Sequence, residues 1–221
     1  MTISISTQQD LFYLRSGIDL AKLARNMPSN LEDAGDDARR ACILGAVMCC
    51  ASFLECSING LYDYARTAYR RTKLHKALES IWSEGFDKQP VLAKYQIALA
   101  LAGRESLRTD VEPYQSAAKL VDLRNAIAHP KELIESETQQ KRLETKLKGR
   151  YAFSPPKEYR REFFPYRCLS IDCTFWSAEA AAAFFIEFSR RMPRSAYPLP
   201  WEGVIASYLK EAQGARQRIS E

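Results

Sequence analysis

The sequence predicts an all-α helical bundle, on three observations. Apolar residues recur at three-and-four spacing through most of the chain, which is the pattern of helices with one face turned inward. The breakers, nine glycines and ten prolines among 221 residues, gather in a few places and leave long stretches between them. A content of 46% hydrophobic and 27% charged residues is that of an ordinary packed domain, which excludes disordered and fibrous classes. The length suffices for one core and hardly for two, so a single domain is expected over residues 1–221.

Taken in order, Leu11, Leu14, Ile18, Leu20 and Leu23 form an apolar stripe that predicts a first helix ending before Pro28. Glu32, Asp33, Asp36 and Asp37 then precede a long helical pattern running to about Thr72, and acids there favour the partial positive charge of a helix N-terminus. Its apolar face runs through Ile43, Val47, Phe53, Leu54, Ile58 and Leu61, while Arg66, Arg70, Arg71 and Lys73 crowd its far end as a solvated face. Leu74 to Trp82 continues or restarts this helix, and Gly85 to Pro90 reads as a loop. Val91 to Leu101 predicts a third helix stopped by Gly103. A fourth starts near Pro113 with a core stripe of Leu120, Leu123 and Ile127, and Pro130 requires it to end at or just before His129. Glu132 to Lys148 is helical and strongly charged.

Between Gly149 and Phe175 the pattern changes. Pro155, Pro156 and Pro165, dense aromatics and the alternation from Cys168 to Cys173 predict a late insertion, residues 149–176, with a loop and a short strand or hairpin. Ser177 is the expected N-cap of a helix from Ala178 to Arg191. Pro193, Pro198 and Pro200 then force an extended link to a final amphipathic helix carrying Trp201, Val204, Ile205, Tyr208 and Leu209.

The formal charge is +5, a modest excess that permits a polyanionic partner without requiring one. Its distribution says more: from Gln139 to Arg167 there are nine basic residues against three acidic ones. The six cysteines are expected to be reduced packing residues. Cys42, Cys49 and Cys56 recur every seven residues along a helix, and the close Cys pairs of tetrahedral zinc sites are missing, so no metal and no cofactor is expected. The longest apolar runs, Ala41 to Leu54 and Ala178 to Ile186, are interrupted or short for a bilayer of about 20 helical residues. With no secretory pattern in Met1 to Asp10, no membrane association and a cytoplasmic location are expected.

The residues that carry chemistry are Leu123-Arg124-Asn125-Ala126-Ile127-Ala128-His129-Pro130, which set a guanidinium, an amide and an imidazole at one helix end. Arg-Asn-x3-His at the end of a late bundle helix resembles the signature of HEPN domains (higher eukaryotes and prokaryotes nucleotide-binding). Upstream, Ser52-Phe53-Leu54-Glu55-Cys56-Ser57-Ile58-Asn59-Gly60-Leu61 is similar to a stretch on the second long helix of bacterial HEPN proteins, where a Glu and an Asn four apart share a face. The likeness covers Arg39 to Lys131. It implies a HEPN-like bundle, a homodimer with a composite active site, and a metal-independent ribonuclease of toxin–antitoxin or antiphage-defence systems, with an antitoxin or other regulatory protein as possible partner. Some members of the family are catalytically silent.

The residues by themselves point the same way. Metal-free RNA cleavage needs a base for the 2′-hydroxyl, a cation for the phosphorane and an acid for the leaving 5′-oxygen. His129 has the side chain whose unperturbed pKa of about 6.5 suits both proton transfers, and Arg124 is a permanent planar fork for phosphate oxygens. Five residues along a regular helix turn about 500°, which leaves Arg124 and His129 about 140° apart. If His129 leaves helical torsions before Pro130, its ring swings toward the cleft, where Asn125 orients it or contacts RNA. Glu55 and Asn59 are expected to hold Arg124 or the neighbouring backbone. A structural role remains open to each: His129 as a helix C-cap beside the dipole, Arg124 in a surface pair with Asp122 or Glu55.

Two basic regions are candidates for RNA contact. His75 lies in an Arg- and Lys-rich run that could contact phosphate but is more often a solvated helix end. In the insertion, Arg150, Lys157, Arg160, Arg161 and Arg167 interleave with Tyr151, Phe153, Tyr159, Phe163, Phe164 and Tyr166; such rings stack on bases or anchor the insertion to the bundle. Serine-hydrolase, phosphate-loop and zincin motifs do not occur. The rival to the nuclease is a non-catalytic HEPN-like module that docks a protein or a nucleotide.

Overall fold

The computed structural model describes residues 5–27, 33–68, 80, 85–130, 136–155, 162–193 and 202–220. Their order is α1 Ile5–Asn26, α2 Asp33–Ala68, α3 Val91–Leu101, α4 Tyr114–Ala128, α5 Glu137–Leu147, α6 Ile171–Arg191 and α7 Glu202–Ser220. The architecture is all-α, with no strand among the described residues.

Helices α1 and α2 lie antiparallel and very close. A Cβ on Gly17 would sit 2.6 Å from Cys50 Sγ and 3.1 Å from the Ala46 carbonyl oxygen, so glycine is what lets the two backbones approach. Further along, a Cβ on Gly45 would meet Leu20 at 3.1 Å, which fixes the descending register. α2, with 36 residues, is about 54 Å long at 1.5 Å per residue, and it touches α1, α3, α4 and α6. Its stretch Asp37–Ala65 is long enough, and its most apolar 18-residue window, of mean hydropathy 2.0, apolar enough, to cross a bilayer by those measures; half of that window is buried against neighbouring helices.

α6 is the second organising element. Phe175, Phe184 and Phe188 are buried from it, each a contribution of about 1.5–3 kcal/mol, while Ala178, Ala181 and Ala182 allow close helix approach. Tyr95 of α3 meets Phe184 and Phe188 edge-on at 4.9 and 4.7 Å, and its buried hydroxyl donates to the Leu54 carbonyl at 2.7 Å. That bond ties α3 to α2 from inside the core.

The predicted start of α6 is corrected by the structure. The helix begins at Ile171, seven residues earlier than expected, because Ser170 rather than Ser177 is its N-cap: Ser170 Oγ accepts from the Cys173 N–H at 3.1 Å. Ser177 is fully buried inside the helix and donates to the Cys173 carbonyl at 2.8 Å. The alternation from Cys168 to Cys173 forms no strand; an irregular turn at Phe163–Arg167 leads into the helix. Of the predicted helix Glu132 to Lys148, Glu137–Leu147 is helical behind Ser136, whose Oγ accepts from the Gln139 N–H, and residues 132–135 lie outside the described residues. The loop predicted at Gly85 to Pro90 contains a single 3-10 turn, Phe86–Lys88, which buries Phe86 against Tyr62 at 4.3 Å. The segment expected at Leu74 to Trp82, apart from Ser80, and the extended link expected through Pro198 and Pro200 lie outside the described residues.

Candidate functional site at the end of the fourth helix

α4 buries Ala117, Leu120, Leu123 and Ala126 against the bundle, and this stripe dictates where its polar residues point. Arg124 follows Leu123 and emerges at the seam with α2. Its Nη2 donates to Glu55 Oε2 at 3.0 Å and its Nη1 to Asn125 Oδ1 at 3.1 Å. The Arg124 and Glu55 side chains are 33% and 36% exposed, so the guanidinium is oriented from behind and open in front. Of the two pairings open to Arg124 from sequence, the Glu55 one forms; Asp122 is taken by Lys146 at 2.9 Å.

His129 is the C-cap of α4. Its N–H still donates to the Asn125 carbonyl at 2.9 Å, but its torsions, φ −131° and ψ 65°, have left the helix, and Pro130 prevents any continuation. Both His129 and Asn125 are exposed. The departure expected from the proline is therefore present, and imidazole, amide and guanidinium stand at one helix end facing solvent.

Asn59 behaves differently from its neighbour Glu55. Its Oδ1 accepts from Lys94 Nζ at 3.0 Å, so it holds α3 instead of Arg124. Lys94 is 1% exposed, its ammonium 5.6 Å from the centre of the Phe86 ring, and its own carbonyl accepts from the Tyr62 hydroxyl. Sequence reasoning passed over Lys94, although a single charge inside the otherwise apolar run Val91 to Leu101 was the signal. Asp10 was passed over as well. It is 8% exposed on α1, and burial pushes its carboxyl up to about 6. Asp10 lies close enough to Cys56, the residue after Glu55, to help raise that thiol, though burial of Cys56 is the larger cause.

Several rings and cations of the described part of the insertion are engaged in packing and pairing within the chain. Tyr151 packs at a tilt on Trp176 at 5.0 Å and edge-on against Phe153 at 5.3 Å, and Phe153 meets Phe163 edge-on at 4.9 Å. Arg150 pairs with Glu112 and reaches Ser116 Oγ, and Arg167 pairs with Glu144 at 3.4 Å. These rings anchor the segment to the bundle. Lys157, Tyr159, Arg160 and Arg161, the remaining candidates for RNA contact, lie outside the described residues, as does His75.

Among the described residues no group of three or more His, Cys, Asp or Glu side chains is arranged to hold a metal ion. Comparison of the chain with protein-family models, with curated proteins and with solved structures finds no match in any of the three.

Proposed function

We propose that this chain is a HEPN-type, metal-independent endoribonuclease that works as a homodimer in a toxin or antiphage-defence setting. The observation that carries the reading is the end of α4: an exposed imidazole that has left the helix, five residues beyond a guanidinium braced by Glu55 and Asn125. In the reaction the 2′-oxygen loses its proton to a base and attacks phosphorus. The bond to the 5′-oxygen breaks and that oxygen takes a proton, leaving a 2′,3′-cyclic phosphate and a 5′-hydroxyl. Arg124 offers its open edge to the phosphorane oxygens, where a charged, pre-oriented donor is most effective. One imidazole serves one proton transfer at a time, and a twofold copy of α4 would supply the second.

The test is mass analysis of RNA ends after incubation of the purified chain with RNA in excess chelator. Cyclic phosphate ends with the parent, and intact RNA with folded Arg124→Ala and His129→Ala variants, are the expected result. Intact RNA with the folded parent chain overturns the reading. It would favour the non-catalytic protein- or nucleotide-docking module, for which one observation speaks: both branches of the Arg124 fork already have partners within the chain.

A further inference from the structure

A cavity of about 320 Å³ lies well away from α4, between the first turns of α2, residues 152–155, the turn before α6 and the end of α7. That volume is at the lower end of small-molecule sites. Its walls combine three chemistries. Ile43 and Phe153 make an apolar floor, and Tyr166, half-buried, carries the Arg40 guanidinium 5.1 Å from its ring centre. Arg39 is pinned through Nε, which donates to the Ala24 carbonyl at 3.0 Å; among the described residues its terminal nitrogens meet no acceptor. The amino end of α6 completes the lining. Ser170 caps the Cys173 N–H there, while the N–H groups of Ile171 and Asp172 precede the first intrahelical acceptors and point their dipoles outward.

One acidic group lines the same space. Asp172 is already engaged, receiving Arg216 Nε at 2.6 Å and the Ala152 N–H at 2.6 Å, so its charge is met within the chain. The surplus is cationic. A planar fork and a helix amino terminus together suit a tetrahedral oxyanion with several acceptor oxygens, and an aromatic ring backed by a guanidinium suits a flat ring system.

We infer that this cavity binds a small phosphate monoester bearing a flat ring system, of mononucleotide size, with the phosphate on Arg39 and the α6 amino terminus and the ring against Tyr166 and Phe153. The inference is independent of the nuclease reading. Arg39 precedes Glu55 by 16 residues, about 24 Å along the axis of α2.

The experiment is calorimetric titration of the full chain with AMP, adenosine and inorganic phosphate, repeated on Arg39→Gln, Tyr166→Leu and Arg124→Ala, each checked for an unchanged helical melt. AMP is expected to saturate, with adenosine at least tenfold weaker. Arg39→Gln should weaken AMP about tenfold, the loss of a charge-assisted pair. Tyr166→Leu should weaken AMP while leaving inorganic phosphate unchanged, and Arg124→Ala should keep the parent affinity for AMP. No saturation by about 10 mM AMP, equal affinity for adenosine, or unaltered AMP binding in both cavity variants overturns the inference. So does a tenfold loss confined to Arg124→Ala, which would move the ligand to α4 and leave the nuclease reading standing.

Discussion

Arg124 and Glu55 lie 69 residues apart in the chain and 3.0 Å apart in space, joining the end of α4 to the middle of α2. Both side chains are about one-third exposed, so the pair adds only about 0–1 kcal/mol to stability. Its consequence is directional: with Asn125 it fixes the plane of the guanidinium.

Glu55→Ala should therefore leave the melting midpoint nearly unchanged and lower single-turnover RNA cleavage about tenfold, because a mobile guanidinium loses its pre-orientation. Arg124→Lys should cost about a hundredfold, since an ammonium cannot hold Glu55 and Asn125 and still offer a planar edge. Cleavage unaltered in Glu55→Ala, with stability reduced by more than about 2 kcal/mol, would make the pair a structural staple only.

Gly17→Ala sets two effects against each other. Helix propensity favours alanine by about 1 kcal/mol. A methyl 2.6 Å from Cys50 Sγ and 3.1 Å from the Ala46 carbonyl oxygen forces α1 away from α2, at a cost of about 1–3 kcal/mol. Cys50 is fully buried and the second obstacle is backbone, so the clash wins. Urea melts should show a net loss of about 1 kcal/mol; a gain would mean that the helix pair separates freely.

The position of the α6 cap gives a paired test. Ser170→Ala removes the acceptor for the Cys173 N–H and should destabilise by about 1 kcal/mol. Ser177→Ala removes a bond to a carbonyl inside the helix and gains propensity, so it should be near neutral. The opposite ranking would restore a helix start at Ala178.

That cap also shows where the sequence was legible. Val91–Leu101 matches its expected bounds residue for residue, and the fourth helix ends at Ala128, because a helix bounded by Pro90 and Gly103, or halted by Pro130, carries its own stop signals. α6 hides its start because Cys173, Thr174, Phe175, Trp176, Ser177 and Ala178 are all buried, so no polar face marks the period of 3.6 and a short alternation passes for a strand. At the site, Glu55 was readable as a candidate partner of Arg124 because it is polar on an otherwise apolar face, but Asp122 was a second candidate and the packing of α4 on α2 decides between them. The partner of Asn59 was not readable, since Lys94 reaches it from another helix and only the packing of α3 on α2 brings them together.

Asp10 makes stability depend on pH in a direction opposite to most carboxylates. Burial lifts it from 3.8 to about 6, so the folded chain holds its proton more tightly than the unfolded chain. The stability linked to this group is complete below about pH 4 and is lost as the pH rises through about 6; above that, folding must bury an ionised carboxylate. Asp10→Asn removes the charge at nearly constant shape. At pH 7.5 it should exceed the parent in stability by on the order of 1–3 kcal/mol, with the difference shrinking toward zero below about pH 4. Denaturant melts of both chains between pH 4 and 8 measure that difference directly, and a difference that does not change with pH would show that Asp10 is solvated in the folded state.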